Sequence, residues 1–240
     1  MDDRDILQPE TLLTRDMRLN VKEAEAGQPL AAYLASRFTY HDHAAWCRLI
    51  DEGRVTLNGN PAAIQHPLAV GDRIQYDASG IPEPPVDDTF AVVWEDADLL
   101  AVNKSGNLPC HPGGRYFNHT LWALLQTRCG YAPPVFINRL DRETSGVVLI
   151  AKNRRAAAHL WRQFAAHRVD KRYTVYVEGR FPERIDAAGW LLPDTASVIR
   201  KKRRWIPAVS PAAAPVPDAE WCETAFTRVS CGNGISRVTA

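Results

Sequence analysis

The residues with the clearest potential for chemistry lie in one short charged segment near the middle of the chain. Asp141 stands between Arg139 and Arg142, and an apolar, β-branched run occupies residues 147–150. This order predicts a charged loop that leads into a buried strand. A carboxylate at such a junction is partly shielded from water, and neighbouring positive charge favours its ionised form. It can therefore serve as a nucleophile or a general base.

Two residues of this segment also have plain structural interpretations. An Asp that is followed by Thr144 and Ser145 often caps a turn by accepting backbone N–H bonds. Arg139 can form a simple ion pair with Asp141 or Glu143, or its planar guanidinium can stack on a base and bind phosphate. The residues alone leave these alternatives open.

The elements that must position this segment alternate between strands and helices. Residues 90–94 and 99–102 predict two strands, and residues 120–128 predict a helix. The apolar stripe of residues 155–167 predicts a second helix, and the alternation in residues 171–178 predicts another strand. Together they agree with a domain of the α+β class.

The N-terminal third predicts a smaller unit. Apolar residues recur at helical spacing in residues 28–38 and 42–51. A strand at residues 54–57 then meets Asn58-Gly59, a strong turn signal, and residues 73–76 predict a further strand. The result is a helix-helix-strand unit.

Composition shifts suggest where the domains begin and end. The proline-rich residues 81–85 predict an extended spacer. The expected order is a leader that contributes at most one strand, a small domain, a linker and a large domain, with the bounds 1–27, 28–78, 79–88 and 89–240.

Composition also excludes some classes of protein. With 240 residues, 45% of them hydrophobic, the chain can bury a sizeable core. It has no signal peptide pattern and no apolar run of about 18 residues, so we expect a cytoplasmic protein without a membrane anchor. The five cysteines have no C-x-x-C spacing and predict reduced packing residues. His41 and His43 have no second ligand cluster, so no metal site is expected.

The net charge of +1 does not by itself indicate a nucleic-acid partner. Its distribution is more informative, because residues 139–172 contain many basic side chains and few acids. A second basic run at residues 200–204 is consistent with a nucleic-acid contact and equally with a plain solvent-exposed face. It also mimics a nuclear localisation signal.

Three ordered motifs resemble the RluA-type pseudouridine synthases. Residues 139–152 contain R-L-D, two intervening residues, T-S-G and an apolar strand that ends in A-K. N-K-S-G-N-L-P-C-H-P-G-G at residues 103–114 is similar to a second family motif, and Lys171-Arg172-Tyr173 to a third. Asn138 and Ser105 depart from the histidine and proline that are usual in the family.

The resemblance implies isomerisation of uridine within RNA, carried out by a monomer without a cofactor or metal. The fold would be a mixed, mainly antiparallel sheet flanked by helices. Asp141 would attack the sugar or remove its proton, Arg139 would take the place of the extruded base, and Tyr173 would stack under the flipped uracil. Arg142 is a candidate RNA contact. Lys104 and Lys171 are candidate contacts to the RNA backbone, with a plain surface role as the alternative.

The N-terminal unit resembles the alpha-L RNA-binding domain of a ribosomal protein. L-I-D-E-G-R-V-T-L-N-G-N at residues 49–60 and V-G-D-R-I at residues 70–74 stand where that family has them. The resemblance implies RNA contacts by the second helix and the following loop, and the candidates are Arg37, His41, His43 and Arg48. A small packing module is the alternative.

The chain ends where family members continue towards an arginine motif. We therefore expect a catalytic domain that is truncated at its C-terminus. Two functions follow: a synthase acting on ribosomal or transfer RNA, or a catalytically inactive relative that only binds RNA.

Overall fold

The structure is a computed structural model. The structure describes residue 13 and residues 16–79, 81–131, 133–198, 202–211 and 215–240. The chain divides into two compact units, Met1–Ala166 and His167–Ala240. The domain bounds expected from composition stay predictions.

The N-terminal part of the first unit contains two helices and a small antiparallel sheet in the order β1-β4-β2-β3. Asp42 caps the second helix, since its Oδ1 accepts the Ala45 N–H at 2.7 Å. Asn58 and Gly59 both have positive φ, as the predicted hairpin turn requires. The core includes the fully buried Trp46. The elements are β1 (Asp16–Asn20), a 3-10 helix (Glu23–Glu25), α1 (Leu30–Arg37), α2 (His43–Asp51), β2 (Val55–Leu57), β3 (Asn60–Pro61) and β4 (Arg73–Asp77).

A four-stranded antiparallel sheet in the order β5-β6-β8-β7 follows in the same unit. Alternate residues of β8 point to opposite faces. Val148 and Ile150 join the core under α3, while Leu149 and Ala151 pack with α4. The sheet therefore lies between two helices. The elements are β5 (Phe90–Glu95), β6 (Leu99–Lys104), α3 (Leu121–Cys129), β7 (Val135–Phe136), β8 (Gly146–Ala151) and α4 (Arg154–Ala165).

The proline-rich spacer is extended, as predicted, but it is bound firmly to the rest of the first unit. The Glu83 carboxylate accepts the backbone N–H groups of Phe117, Asn118 and His119 at 2.6–3.0 Å. The Pro84 carbonyl oxygen lies 2.8 Å from His119 Nδ1. These bonds satisfy donors ahead of α3 that would otherwise lack partners.

The second unit is a five-stranded antiparallel sheet in the order β11-β10-β12-β13-β9. Asn233 and Gly234, both with positive φ, close the hairpin between β12 and β13. Of the basic run at residues 200–204, Arg200 and Lys201 lie outside the described residues. The strands are β9 (Thr174–Glu178), β10 (Arg184–Pro193), β11 (Arg203–Pro207), β12 (Glu220–Gly232) and β13 (Ile235–Thr239).

The expected fold class is confirmed. The protein is α+β, with sheets that are mainly antiparallel and few helices. Within the described part of the chain, no helix has the length and apolar character needed to cross a membrane.

Candidate active site

Asp141 lies in the loop between β7 and β8, as its position before the apolar run predicted. Asn138 holds the start of this loop, since its Oδ1 accepts the Leu149 N–H at 2.8 Å and its Nδ2 donates to the Val147 carbonyl at 3.2 Å. The side chain that departs from the family histidine thus acts here as a bridge to β8.

The Asp141 side chain is exposed. Its backbone carbonyl, rather than its carboxylate, accepts the Thr144 N–H at 3.1 Å. Among the residues that the structure describes, the carboxylate forms no salt bridge and caps no turn. It is therefore available to a ligand.

The two arginines that flank this carboxylate differ in their contacts. Arg139 is exposed and, within the described ranges, forms no ion pair with Asp141 or Glu143. Arg142 instead binds Glu143 and donates to the Tyr116 hydroxyl, and its guanidinium lies 5.6 Å from the centre of the Tyr116 ring. Both contacts raise the pKa of Arg142. Tyr116 thus joins the site, although its sequence position gave no sign of it.

Lys104 lies under the loop instead of on the surface. Its side chain is 1% exposed, and its Nζ donates to the carbonyls of Ser105 and Leu108, both at 2.8 Å, and of Arg142 at 3.3 Å. Burial lowers the pKa of this ammonium, and the neighbouring Cys110 and the carboxylates of Glu143 and Asp141 partly oppose the shift. RNA phosphate cannot reach Lys104 in this conformation, so its predicted RNA contact would require the loop to open.

Cys110, from the same 103–114 segment as Lys104, also binds the loop that carries Asp141. Its buried Sγ lies 3.4 Å from both the Leu140 N, which donates to it, and the Leu140 O, to which it donates. Burial raises the pKa of the thiol. Both backbone groups of the residue before Asp141 are thereby held. The residue lies inside the quoted 103–114 motif, but nothing in the sequence distinguished it from a packing cysteine.

We expect Cys110→Val to lower the rate of the chemical step about three- to tenfold, because each lost bond is a weak one and the loop geometry loosens. Cys110→Ser should retain most of the rate, since the hydroxyl also donates and accepts. The matched control is Cys222→Val, whose thiol bonds to Gly189 in the second unit. Equal rates for Cys110→Val and the wild type would contradict the assignment.

His111 is packed against Phe136, with ring centroids 4.2 Å apart, and its Nδ1 is buried without a hydrogen-bond partner within the described residues. Burial lowers the pKa of His111, and the positive charge of Arg139 adds to the shift. The imidazole is therefore preferentially neutral, which keeps a second positive charge away from Arg139.

This shift predicts a loss of stability in acid. Because the pKa is lower in the folded than in the unfolded protein, stability is full above the unfolded value of about 6.5 and falls as pH drops through the folded value. Urea unfolding between pH 7.5 and pH 5 should show a smaller decline for His111→Gln than for the wild type. An equal decline would contradict this account, and exposed His159→Gln is the control.

The N-terminal candidates have different surroundings. His41 lies among aromatic rings, and its Nε2 is 3.1 Å from the Tyr76 hydroxyl. Arg37 pairs with Glu25 at 2.6 Å. His43 and Arg48 are exposed on α2. The structure places Arg48 and His43 within reach of a partner, and all four RNA contacts stay predictions.

Tyr173 and Lys171 belong to the second unit. Tyr173 directly precedes β9, exchanges backbone hydrogen bonds with Ala240 at 2.8 and 2.9 Å, and is 41% exposed. Lys171 is exposed. Their predicted roles are compatible with this exposure and stay predictions.

Comparison with known proteins decides the family. The model of the RNA pseudouridylate synthase family matches residues 98–234, which include Asp141 and the whole loop. The chain belongs to this family. Its membership confirms the resemblance seen in the motifs, whereas the alpha-L assignment of the N-terminal unit stays a prediction.

Similar synthases include enzymes for two kinds of RNA. The mitochondrial tRNA pseudouridine(32) synthase of Saccharomyces cerevisiae is 31% identical over 162 residues, or 68% of this chain and 35% of that protein. Ribosomal large subunit pseudouridine synthase D of Zymomonas mobilis is 31% identical over 176 residues, or 68% of this chain and 55% of that protein. The chain spans about a third to a half of the length of these synthases.

A solved structure shows that the fold is shared. Human RNA pseudouridylate synthase domain containing 1 superposes with a TM-score of 0.50 at 21% identity, covering 66% of this chain and 61% of the human one. This likeness supports the synthase fold.

Proposed function

We propose that the chain isomerises specific uridines to pseudouridine in transfer or ribosomal RNA, with Asp141 as the catalytic carboxylate. The observation that carries the proposal is an exposed carboxylate, without an ion pair among the described residues, on a loop inside the matched family segment. Lys104 and Cys110 hold the backbone on both sides of it.

The reaction rearranges atoms without adding any. The bond from ribose C1′ to uracil N1 breaks, the uracil turns, and a bond from C1′ to C5 forms. The proton on C5 leaves, and N1 gains one, so the product is an isomer that needs no oxidant or other reactant. Asp141 either attacks C1′ or removes a ribose proton, and both roles need an ionised, accessible carboxylate.

The target base is stacked in RNA and must leave the stack to reach a loop carboxylate. We assign the vacated position to Arg139, because its guanidinium is exposed, has no competing ion pair in the part of the chain that the structure describes, and can stack and bind phosphate together. The exposed Arg48 of α2 and the predicted alpha-L unit would contribute further RNA affinity.

The test is incubation of the full chain with tRNA and ribosomal RNA transcripts, followed by mapping of carbodiimide-reactive pseudouridine. Conversion at one or a few uridines is expected. RNA binding without any conversion would instead support the inactive RNA-binding relative. Contacts to phosphate release counterions, so RNA affinity should fall as the salt concentration rises. An RNA affinity that does not change with salt would contradict both RNA functions.

A further inference from the structure

Helix α4 carries an exposed basic stripe that the site at Asp141 does not use. Arg155, His159 and Arg162 are spaced by four and three residues, so their side chains lie on one face of the helix. All three are exposed, and α4 contains no Asp or Glu. The opposite face packs on the sheet through the core around Ala157. We call these three residues the α4 stripe.

The guanidinium groups of the stripe have few partners inside the protein. Arg155 Nη2 is 3.6 Å from Asp98 Oδ1, with side chains that are 87% and 48% exposed, so water screens this pair strongly. Arg162 donates through Nε to the Ala158 carbonyl at 3.2 Å. Its other N–H donors meet no acceptor within the described residues, and they remain for an external anion.

The position of Arg155 at the start of α4 opposes helix stability, whereas Arg162 lies in the last turn, where the dipole favours a cation. Arg154 and Arg155 occupy the first turn of α4, where the helix dipole is positive and cations are disfavoured. Stability of the helix therefore does not explain them. Asp98 supplies one carboxylate at this end, but its contact with Arg155 is long and screened by water, so the arginines and the helix end attract a further anion.

An exposed aromatic side chain on the flank of the stripe favours a nucleic acid over an acidic protein. Trp161 is 49% exposed, and its Nε1 donates to the Phe136 carbonyl at 3.4 Å, which fixes the ring. Fixed aromatic faces beside cations suit base stacking. Phe136 is also the last residue of β7, directly before the Asp141 loop, so the stripe and the loop are attached to one sheet.

We propose that the α4 stripe is an accessory docking surface for the phosphodiester backbone of the substrate RNA. This inference rests on the proposed function, which makes RNA the substrate. The α4 stripe adds an RNA contact outside the catalytic loop. The stripe contributes affinity and salt dependence, and it takes no part in the chemical step.

The test compares RNA binding by the full chain and by Arg155→Gln/Arg162→Gln, using fluorescence anisotropy with a labelled transcript at several salt concentrations. Each lost phosphate contact should reduce the magnitude of the slope of log affinity against log salt by about 0.7–0.9. The slope of the double variant should therefore be smaller in magnitude by about 1.5, and this variant should bind RNA about tenfold more weakly. Trp161→Leu should weaken binding without changing the slope, because stacking releases no counterions.

The matched control is Arg18→Gln/Arg184→Gln. It removes the same charge from two exposed arginines that each bind a carboxylate on their own strand. This control should bind RNA like the wild type. An unchanged affinity and slope in the stripe variant, or an equal loss in the control, would overturn the proposal. Because binding is measured without conversion, an inactive wild type that binds RNA would overturn only the proposed function.

Discussion

Asp141→Asn is expected to lower the single-turnover rate of uridine conversion at least about 10³-fold while changing RNA affinity less than about threefold. The amide keeps the size of the side chain but can neither attack the ribose nor accept its proton at a useful rate. The exposed carboxylate makes no ion pair or cap within the described residues, so its loss should leave the fold intact. Rapid-quench conversion assays with saturating enzyme measure the rate.

Glu143→Gln is the matched control for this variant. Glu143 lies on the same loop and is also exposed, but its carboxylate binds Arg142. Arg142 holds the pKa of Glu143 below its usual range through a direct hydrogen bond. We expect a loss of rate of less than about tenfold, since an exposed ion pair contributes little. Similar losses in both variants would indicate that general loop charge matters and that Asp141 has no special role.

Lys104→Met should produce the second largest effect, because it acts on stability and chemistry together. Removing the ammonium leaves the carbonyls of Ser105 and Leu108 without this donor, which should reduce the free energy of unfolding by about 3 kcal/mol, while the Arg142 carbonyl keeps a backbone N–H. The loop after Arg142 should also shift, and displacement of a reacting group by about 1 Å can cost 10²-fold in rate. Urea unfolding and single-turnover conversion below the unfolding transition measure the two effects.

The control for this variant is Lys152→Met. Lys152 is also a lysine of a synthase motif, but its Nζ binds the Glu95 carboxylate and the Asp96 carbonyl with 27% of its side chain exposed. Its loss should change stability by less than about 1 kcal/mol. If Lys104→Met were as stable and active as Lys152→Met, the buried lysine would not hold the loop.

The sequence predicted the elements of the sheet well because their signals are local. The apolar run before Lys152 and the stripe of residues 155–167 need only their own spacing to indicate β8 and α4. The Asn58-Gly59 turn was equally explicit, since both residues tolerate positive φ. Asp141 could be proposed as the catalytic residue for the same reason, because its motif is contiguous.

The parts of the site that the sequence did not predict depend on contacts between distant segments. Lys104 and Arg142 are 38 positions apart, and Cys110 and Leu140 are 30 apart. A lysine beside Ser105 has the pattern of a surface residue until the chain folds over it. Propensity and spacing contain no information about such pairings, so the loop supports were missed.

Local patterns also could not distinguish a docked spacer from a free one. The composition of residues 81–85 predicted an extended segment, which was observed, but it gave no sign that Glu83 binds three backbone N–H groups some 35 positions later. Similarly, nothing in the sequence around His41 indicated that its ring lies against Tyr40, Trp46 and Tyr76 in the fold.

The central claim is that the carboxylate of Asp141 drives isomerisation of an extruded uridine, and tritium release tests it most directly. Transcripts labelled with tritium at C5 of uridine lose the label to water only when C5 becomes bonded to ribose. We predict one tritium released for each pseudouridine formed by the wild type, and none above background from Asp141→Asn at equal RNA occupancy. Release at the same rate from both proteins would contradict the account.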